Sequence, residues 1–157
     1  MAEKVEKDAK ESVARNKRAR HDYHIIDTWE AGMVLTGSEV KSLRNGKANI
    51  ADSYAIVKDG EVFLLNLHIS PYEQASHFNH EPTRTRKLLL HRKEIDRLAS
   101  RIAEQGLTLV PLSLYFRDGN VKVELGLARG KRTYDKRQDL AKRDAAREMD
   151  RALKRRR

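Results

Sequence analysis

The chain has 157 residues, 39% hydrophobic and 36% charged, with a formal net charge of +10 and no cysteine. That length fits one domain with extensions, the missing cysteines exclude disulfides and thiolate chemistry, and no apolar run approaches the ~20 residues of a membrane span. Residues 21–128 hold 13 Lys/Arg against 14 Asp/Glu, whereas residues 129–157 hold 13 basic against 5 acidic groups and residues 1–20 hold 7 against 4, so a near-neutral body carries basic arms suited to an extended polyanion.

Residues 1–15 are polar and mixed in charge, and a frayed or disordered lead is expected there. No hydrophobic stretch follows their charges, so no secretory signal is expected, which fits a cytoplasmic protein. From Tyr23 the pattern turns β-rich through Ile25, Ile26, Trp29, Met33, Val34 and Leu35, and Gly32 inside it suggests a bulge or bend. Thr36 and Glu39 are spaced as a capping box, Val40 and Leu43 give the short helix an apolar face, and Gly46 ends it. Ala48–Val57 and Glu61–Leu67 read as strands joined at Asp59-Gly60; Leu107–Phe116 and Asn120–Leu127 repeat the arrangement around Asp118-Gly119. Between the hairpins, Arg86–Leu90 suits a short strand, and Ile95, Leu98, Ala99, Ile102 and Ala103 form the stripe of an amphipathic helix stopped by Gly106.

The expected fold is mainly β: a small OB-type antiparallel barrel over residues 16–130 with inserted short helices, followed by a basic tail over residues 131–157. In the tail Ala141, Ala145, Met149, Ala152 and Leu153 share one face, while Arg143, Arg147, Arg151 and Lys154 line the other. So thin an apolar stripe predicts a tail that is unfolded when free and helical once a polyanion neutralises it.

Catalytic and metal signals are weak. His77 and His80 have an H-x-x-H spacing, but Asn79 and Pro82 mark the segment as loop and no third ligand stands at a known spacing. His68 and His91 border strands and read as structural, no nucleophile or phosphate-loop motif is present, and isolated acids such as Asp52 make no catalytic pair. No enzymatic activity and no cofactor are expected. A metal-dependent RNA hydrolase using the histidines stays open as an alternative, as does a generic OB-type ribosome or tRNA binder.

Nucleic-acid signals are denser. Asn16-Lys17-Arg18-Ala19-Arg20-His21-Asp22-Tyr23 sets three cations beside two flat rings, giving groups for phosphate oxygens and for stacking on an unpaired base. Arg84, Thr85, Arg86 and Lys87 repeat the recipe in a loop, and Lys131, Arg132, Tyr134, Lys136 and Arg137 do so where barrel meets tail. With no DNA-reading helix motif, these clusters favour structured or single-stranded RNA.

The runs NKRARHDY (16–23), GSEVKSLRNGKANIADSYA (37–55), FNHEPTRTRKLLLHRKEI (78–95) and LARGKRTYDKR (127–137) together resemble the SsrA-binding protein (SmpB, small protein B) family, the bacterial partners of transfer-messenger RNA. The resemblance runs from about Asn16 into the tail. It implies an OB-type barrel on the tRNA-like domain of that RNA, standing in for a missing anticodon arm, with elongation factor Tu in the delivery complex. It also implies a tail that becomes helical in the empty mRNA channel, beside rRNA of the ribosomal decoding centre. By position, the family's RNA contacts fall on Asn16, Lys17, Arg18, Arg20, His21, Glu30, Glu39, Lys41, Arg44 and Arg84–Lys87, with His21 placed to stack on rRNA. Asp135, Lys136 and Arg137 match the junction motif of ribosome engagement. In the tail, Met149 and Leu153 stand where some relatives carry bulkier residues.

Overall fold

A computed structural model describes residues 11–73, 79–130 and 133–155. Among them are nine strands, β1 (Glu11–Arg15), β2 (Tyr23–Met33), β3 (Ala48–Asn49), β4 (Tyr54–Lys58), β5 (Glu61–Leu65), β6 (His68–Ile69), β7 (Arg86–Leu89), β8 (Thr108–Arg117) and β9 (Asn120–Gly130). Four helices accompany them: α1 (Ala19–Asp22), α2 (Gly37–Arg44), α3 (Arg92–Gln105) and α4 (Thr133–Arg155). The main sheet is antiparallel with order β1-β8-β4-β5-β7-β2-β9, and β9 returns to pair with β8. Six strands therefore close into a barrel of the OB type, and β1 lies on the remaining edge of β8. No described helix is long and apolar enough to cross a membrane.

Two hairpins drive the closure. Asp59 and Gly60 have φ of 53° and 74°, and Asp118 and Gly119 have φ of 52° and 79°. Positive φ at both central residues gives the primed turns whose twist matches that of the strands they join. The long strands β8 and β9 line the interior with Leu109, Leu114, Phe116, Val121, Val123, Leu125 and Leu127, packed against Val62, Leu64 and Leu88 from across the barrel. A bulge between Pro111 and Ser113 shifts the inward phase of β8. Val110 and Leu112 consequently face outward, where Ala19 of α1 and Ala128 of β9 complete a second, smaller cluster. Helix α3 buries Ile95 and Leu98 and ends at Gly106, whose φ of 61° gives the left-handed C-cap.

Four expectations change. Residues 11–15 are not part of a disordered lead: Glu11 to Arg15 pair with Phe116 to Ser113, and Val13 and Ala14 pack against the core. Their alternation is too short and too polar to announce a strand, and the edge of β8 supplies the partner. The single strand expected over Ala48–Val57 is two, because Ser53 Oγ and N–H both donate to Ile50 O (2.6 and 3.1 Å) and Ala51 N–H donates to Asn49 Oδ1 (3.0 Å). Such local bonds compete with the ladder and make a turn. The bulge in β2 falls at Ile26, between Ile25 and Asp27, rather than at Gly32. Gly32 is where β2, still paired with Lys122, also takes up Leu89 of β7, and a Cβ there would stand 3.4 Å from Leu89 Cβ.

The fourth change concerns the tail. Where an unfolded segment is expected, Thr133–Arg155 form a continuous 23-residue helix. Residues 131–157 contain no Gly or Pro and many strong helix formers. The length also exceeds the ~12–15 residues below which isolated helices are marginal. Its described side chains, Arg137 and residues 140–154, are all exposed.

Removing residues 1–15 should bare the outer edge of β8 and lower the melting temperature by about 5 °C or more, since roughly 1 kcal/mol corresponds to several degrees in a domain of this size. A melting curve that coincides with that of the full chain would contradict the role given to β1.

Candidate nucleic-acid interface

The polar centre of the molecule is a carboxylate. Glu39, in the first turn of α2, has no exposed surface. Its Oε1 accepts hydrogen bonds from Thr36 N–H (2.9 Å) and Arg84 Nη2 (2.6 Å), and its Oε2 accepts from Arg86 Nε (2.5 Å). Arg86 is also fully buried; its Nη1 donates to Leu67 O (2.7 Å) and its Nη2 to Pro82 O (3.2 Å). Arg84 Nη2 reaches Val34 O as well (3.2 Å). One carboxylate thus ties α2 to the end of β2, the 82–85 turn, β7 and the corner before β6. Burial opposes ionisation of Glu39, but the bonds from Arg84, Thr36 and Arg86 outweigh it and hold the carboxyl below its usual range. For Arg86 the balance is reversed: burial lowers its pKa, and Glu39 offsets part of that.

These contacts correct two of the expected RNA residues. Glu39 and Arg86 are internal struts and cannot reach a phosphate or a base edge. Alternation along β7 gives the reason: Arg86 and Leu88 point inward, whereas Lys87 and Leu89 point out. Three consecutive leucines at 88–90 set no phase for that alternation, so the sequence alone does not mark Arg86 as internal. Arg84 keeps about a third of its side chain exposed (35%), Thr85 is exposed, and Lys87 is exposed with Glu61 2.9 Å from its Nζ.

Glu30 stands on the outer surface of β2. Tyr115 Oη donates a short hydrogen bond to its Oε2, and Arg117 Nη1 donates to the same oxygen at 2.5 Å. Burial opposes ionisation of Glu30, yet Tyr115 and Arg117 together draw its pKa below the usual value. Burial and the neighbouring carboxylate raise that of Tyr115. On α2, Lys41 and Arg44 are exposed, with Lys41 Nζ 5.5 Å from the Tyr72 ring and Arg44 Cζ 5.9 Å from that of Phe116. Two apolar side chains absent from the sequence-based expectation share this region: Val34 and Leu89 are 45% and 52% exposed. Leu89 is adjacent to Gly32 and Val34 to Arg84.

The N-terminal block forms a second display. Asn16 sits in the turn after β1, fixed by its N–H to Leu112 O (2.8 Å) and its Nδ2 to Pro111 O (3.0 Å). Lys17, Arg18 and Arg20 are exposed, His21 is half-buried with Asp22 Oδ1 3.1 Å from its Nδ1, and Tyr23 begins β2. Helix α1 lies against α4. On α4 the side chains of Arg137, Arg143, Arg147, Met149, Arg151, Leu153 and Lys154 are exposed. Lys131 and Arg132 lie outside the described residues, as do the side chains of Tyr134, Asp135 and Lys136.

Of the candidate metal pair, His77 also lies outside the described residues, while His80 is bound into the fold. Its Nε2 donates to Ile69 O and its Nδ1 shares a hydrogen bond with Ser38 Oγ, both at 2.8 Å. A carbonyl can only accept, so Nε2 carries a proton.

A small closed barrel that engages its acids internally and turns its cations outward belongs to the class of polyanion-binding OB-type domains. Comparison with known proteins is specific. The SmpB protein family profile matches residues 13–155. The SsrA-binding protein of Acidothermus cellulolyticus is 67% identical over 144 residues, 92% of this chain and 91% of the relative. That of Thermobifida fusca is 59% identical over the full length of both chains. A solved structure described as "tmRNA-SmpB: a journey to the center of the bacterial ribosome" superposes with a TM-score of 0.64 at 55% identity, covering 76% of this chain and 85% of that one. The chain belongs to the SmpB family.

Arg86→Ala and Arg84→Ala should fail in different ways. Arg86→Ala leaves the buried Oε2 of Glu39 without its donor and half of the carboxylate's cationic partners missing, and should cost about 3–5 kcal/mol in urea unfolding. Arg84→Ala should remain folded at 25 °C and bind RNA with a salt slope shallower by about 0.7–0.9 log unit, the share of one phosphate contact. Equal stability of Arg86→Ala and the parent chain would refute the internal role.

Proposed function

We propose that this protein binds the tRNA-like domain of transfer-messenger RNA (SsrA RNA) and brings it to ribosomes stalled on incomplete messages, for trans-translation. The observation that carries this reading is that family similarity spans both barrel and tail, residues 13–155, so both working parts are present in one chain. The barrel takes the position of the anticodon arm that this RNA lacks. Its RNA surface comprises Lys41, Arg44, Arg84, Thr85 and Lys87, with Glu30 held by Arg117 at its edge and Val34 and Leu89 as apolar contacts. Cations there follow the phosphates, and the exposed leucine and valine rest on unstacked bases or sugars at the RNA bend.

The block from Asn16 to Tyr23 and the tail serve the ribosome. His21 stacks on rRNA beside the decoding centre, Lys17, Arg18 and Arg20 meet phosphates, and the Asp135-Lys136-Arg137 junction directs α4 into the vacant mRNA channel. There Arg143, Arg147, Arg151 and Lys154 face rRNA, with Met149 and Leu153 on the other side of the helix. A preformed helix carries less ordering cost into the channel than an unfolded tail would. Elongation factor Tu accompanies the complex on delivery. The role is one of binding and positioning.

A chain truncated after Tyr134 should retain affinity for the tRNA-like fragment within about threefold, because most phosphate contacts remain on the barrel. It should no longer support addition of the peptide tag in a translation reaction stalled on a message without a stop codon. Collapse of RNA affinity in the truncated chain would contradict this division of labour.

A further inference from the structure

An antiparallel sheet that covers a core with one face usually carries polar residues on the other. This barrel follows that rule along β2, β8 and β9, where Glu30, Ser113, Arg117, Lys122 and Glu124 lie outside. Where the outside of β8 is apolar, at Val110 and Leu112, Ala19 of α1 covers it. The β4–β5 hairpin departs from the rule. Its inward residues Ala55, Val57, Val62 and Leu64 join the core. Its outward residues pair across the ladder as Tyr54 with Leu65 and Ile56 with Phe63, and none of the four belongs to either apolar cluster of the described residues. Tyr54 is 39% exposed and the other three are half-buried.

This apolar face has a cationic border and runs into the RNA surface. Phe63 stands opposite Lys87 of β7, so Ile56, Phe63 and Lys87 form one outward row across three strands. Lys58 pairs with Glu61 in the adjoining row, and Leu89 follows Lys87 outward along β7. At the hairpin tip, Arg92 Nη1 donates to Gly60 O at 2.7 Å while its side chain remains exposed. Lys58, Lys87 and Arg92 thus stand against Asp59 and Glu61, and Glu61 is itself engaged by Lys87 at 2.9 Å. Single exposed apolar residues need no partner, but a contiguous block of four large ones marks a surface of interaction. Continuity with Lys87 and Leu89, and the cations at the margin, make that partner the RNA.

We infer that the outer face of the β4–β5 hairpin receives an unpaired nucleotide of the same RNA, its base stacked on Phe63 against Ile56 and its phosphates on Lys58 and Lys87. An aromatic ring on a sheet surface with flanking cations meets both needs of an unstacked nucleotide: apolar surface for the base and positive charge for the backbone. Every base has a stackable face, so this site fixes the path of the strand and does not select a base. The inference rests on the RNA-binding function above and extends its surface onto β4 and β5.

The test labels the full chain with fluorophenylalanine, which reports on its three phenylalanines, and titrates it with the tRNA-like fragment of transfer-messenger RNA. The fluorine NMR signal of Phe63, identified by its loss in Phe63→Leu, should shift saturably as RNA is added. Phe63→Leu should weaken binding about tenfold with an unchanged salt slope, because stacking involves no phosphate. Phe63→Tyr keeps the ring and should keep the parent affinity, whereas Lys58→Gln should flatten the slope by about 0.7–0.9 log unit. Full affinity in Phe63→Leu would overturn the site. So would a Phe63 signal that moves with protein concentration in the absence of RNA, which would assign the face to a second copy of the chain. If the parent chain binds the fragment while its Phe63 signal stays in place, the hairpin site alone is wrong; if the parent does not bind the fragment, the proposed function is wrong.

Discussion

The buried carboxylate of Glu39 is the constraint on which the arrangement depends. A charge with no exposed surface is tolerable only if it is hydrogen-bonded on all sides, and Glu39 meets that demand with Thr36, Arg84 and Arg86. Each donor belongs to a different piece of backbone. Satisfying one anion therefore fixes where α2 sits relative to β7 and the 82–85 turn, and these segments carry Lys41, Arg44, Thr85 and Lys87. The positions of the exposed cations are inherited from a charge that no partner can touch. Neighbouring bonds extend the same anchoring: Ser42 Oγ to Ser70 O at 2.7 Å, Ile69 N–H to Pro82 O at 2.9 Å, and His80 between Ser38 and Ile69.

The same logic explains why a protein of +10 net charge has a near-neutral barrel. Several of its acids are employed against its own cations: Glu39 against Arg84 and Arg86, Glu30 against Arg117, Glu61 against Lys87 and Asp27 against Arg101. Exposed pairs of this kind add little stability, but they hold long side chains in register and lessen self-repulsion within the barrel. The strong cationic surplus is carried by residues 129–157, where no core must be kept and a polyanion can be followed along a helix.

Much of the fold is legible in the sequence because its signals are local. The Asp59-Gly60 and Asp118-Gly119 turns, the Thr36/Glu39 capping box and the Ile95–Ile102 stripe each act within a few residues, and each forms where expected. Long-range pairings are less readable. Residues 11–15 become a strand because β8 has a vacant edge, and the Pro111–Ser113 bulge is visible only through its partner β9. At the interface, Lys41, Arg44, Thr85 and Lys87 are exposed as charge patterning suggests. Glu39 and Arg86 have the same composition as a surface pair and are fully buried, and exposed Leu89 reads in sequence as core. Burial is set by which face of β7 meets the barrel, and residue type alone does not carry that.

The most direct measurement is urea unfolding of the parent chain and of Glu39→Gln between pH 7 and about pH 3.5. Because the folded chain holds the Glu39 carboxyl below its ordinary value of 4.5, its contribution is fully present above that pH and is lost as the pH falls through the folded pKa. The account predicts that Glu39→Gln is less stable at pH 7 and that the two curves converge toward acid, as the parent loses what the variant never had. Curves that stay parallel down to pH 3.5 would show that the buried carboxylate does not hold the structure together.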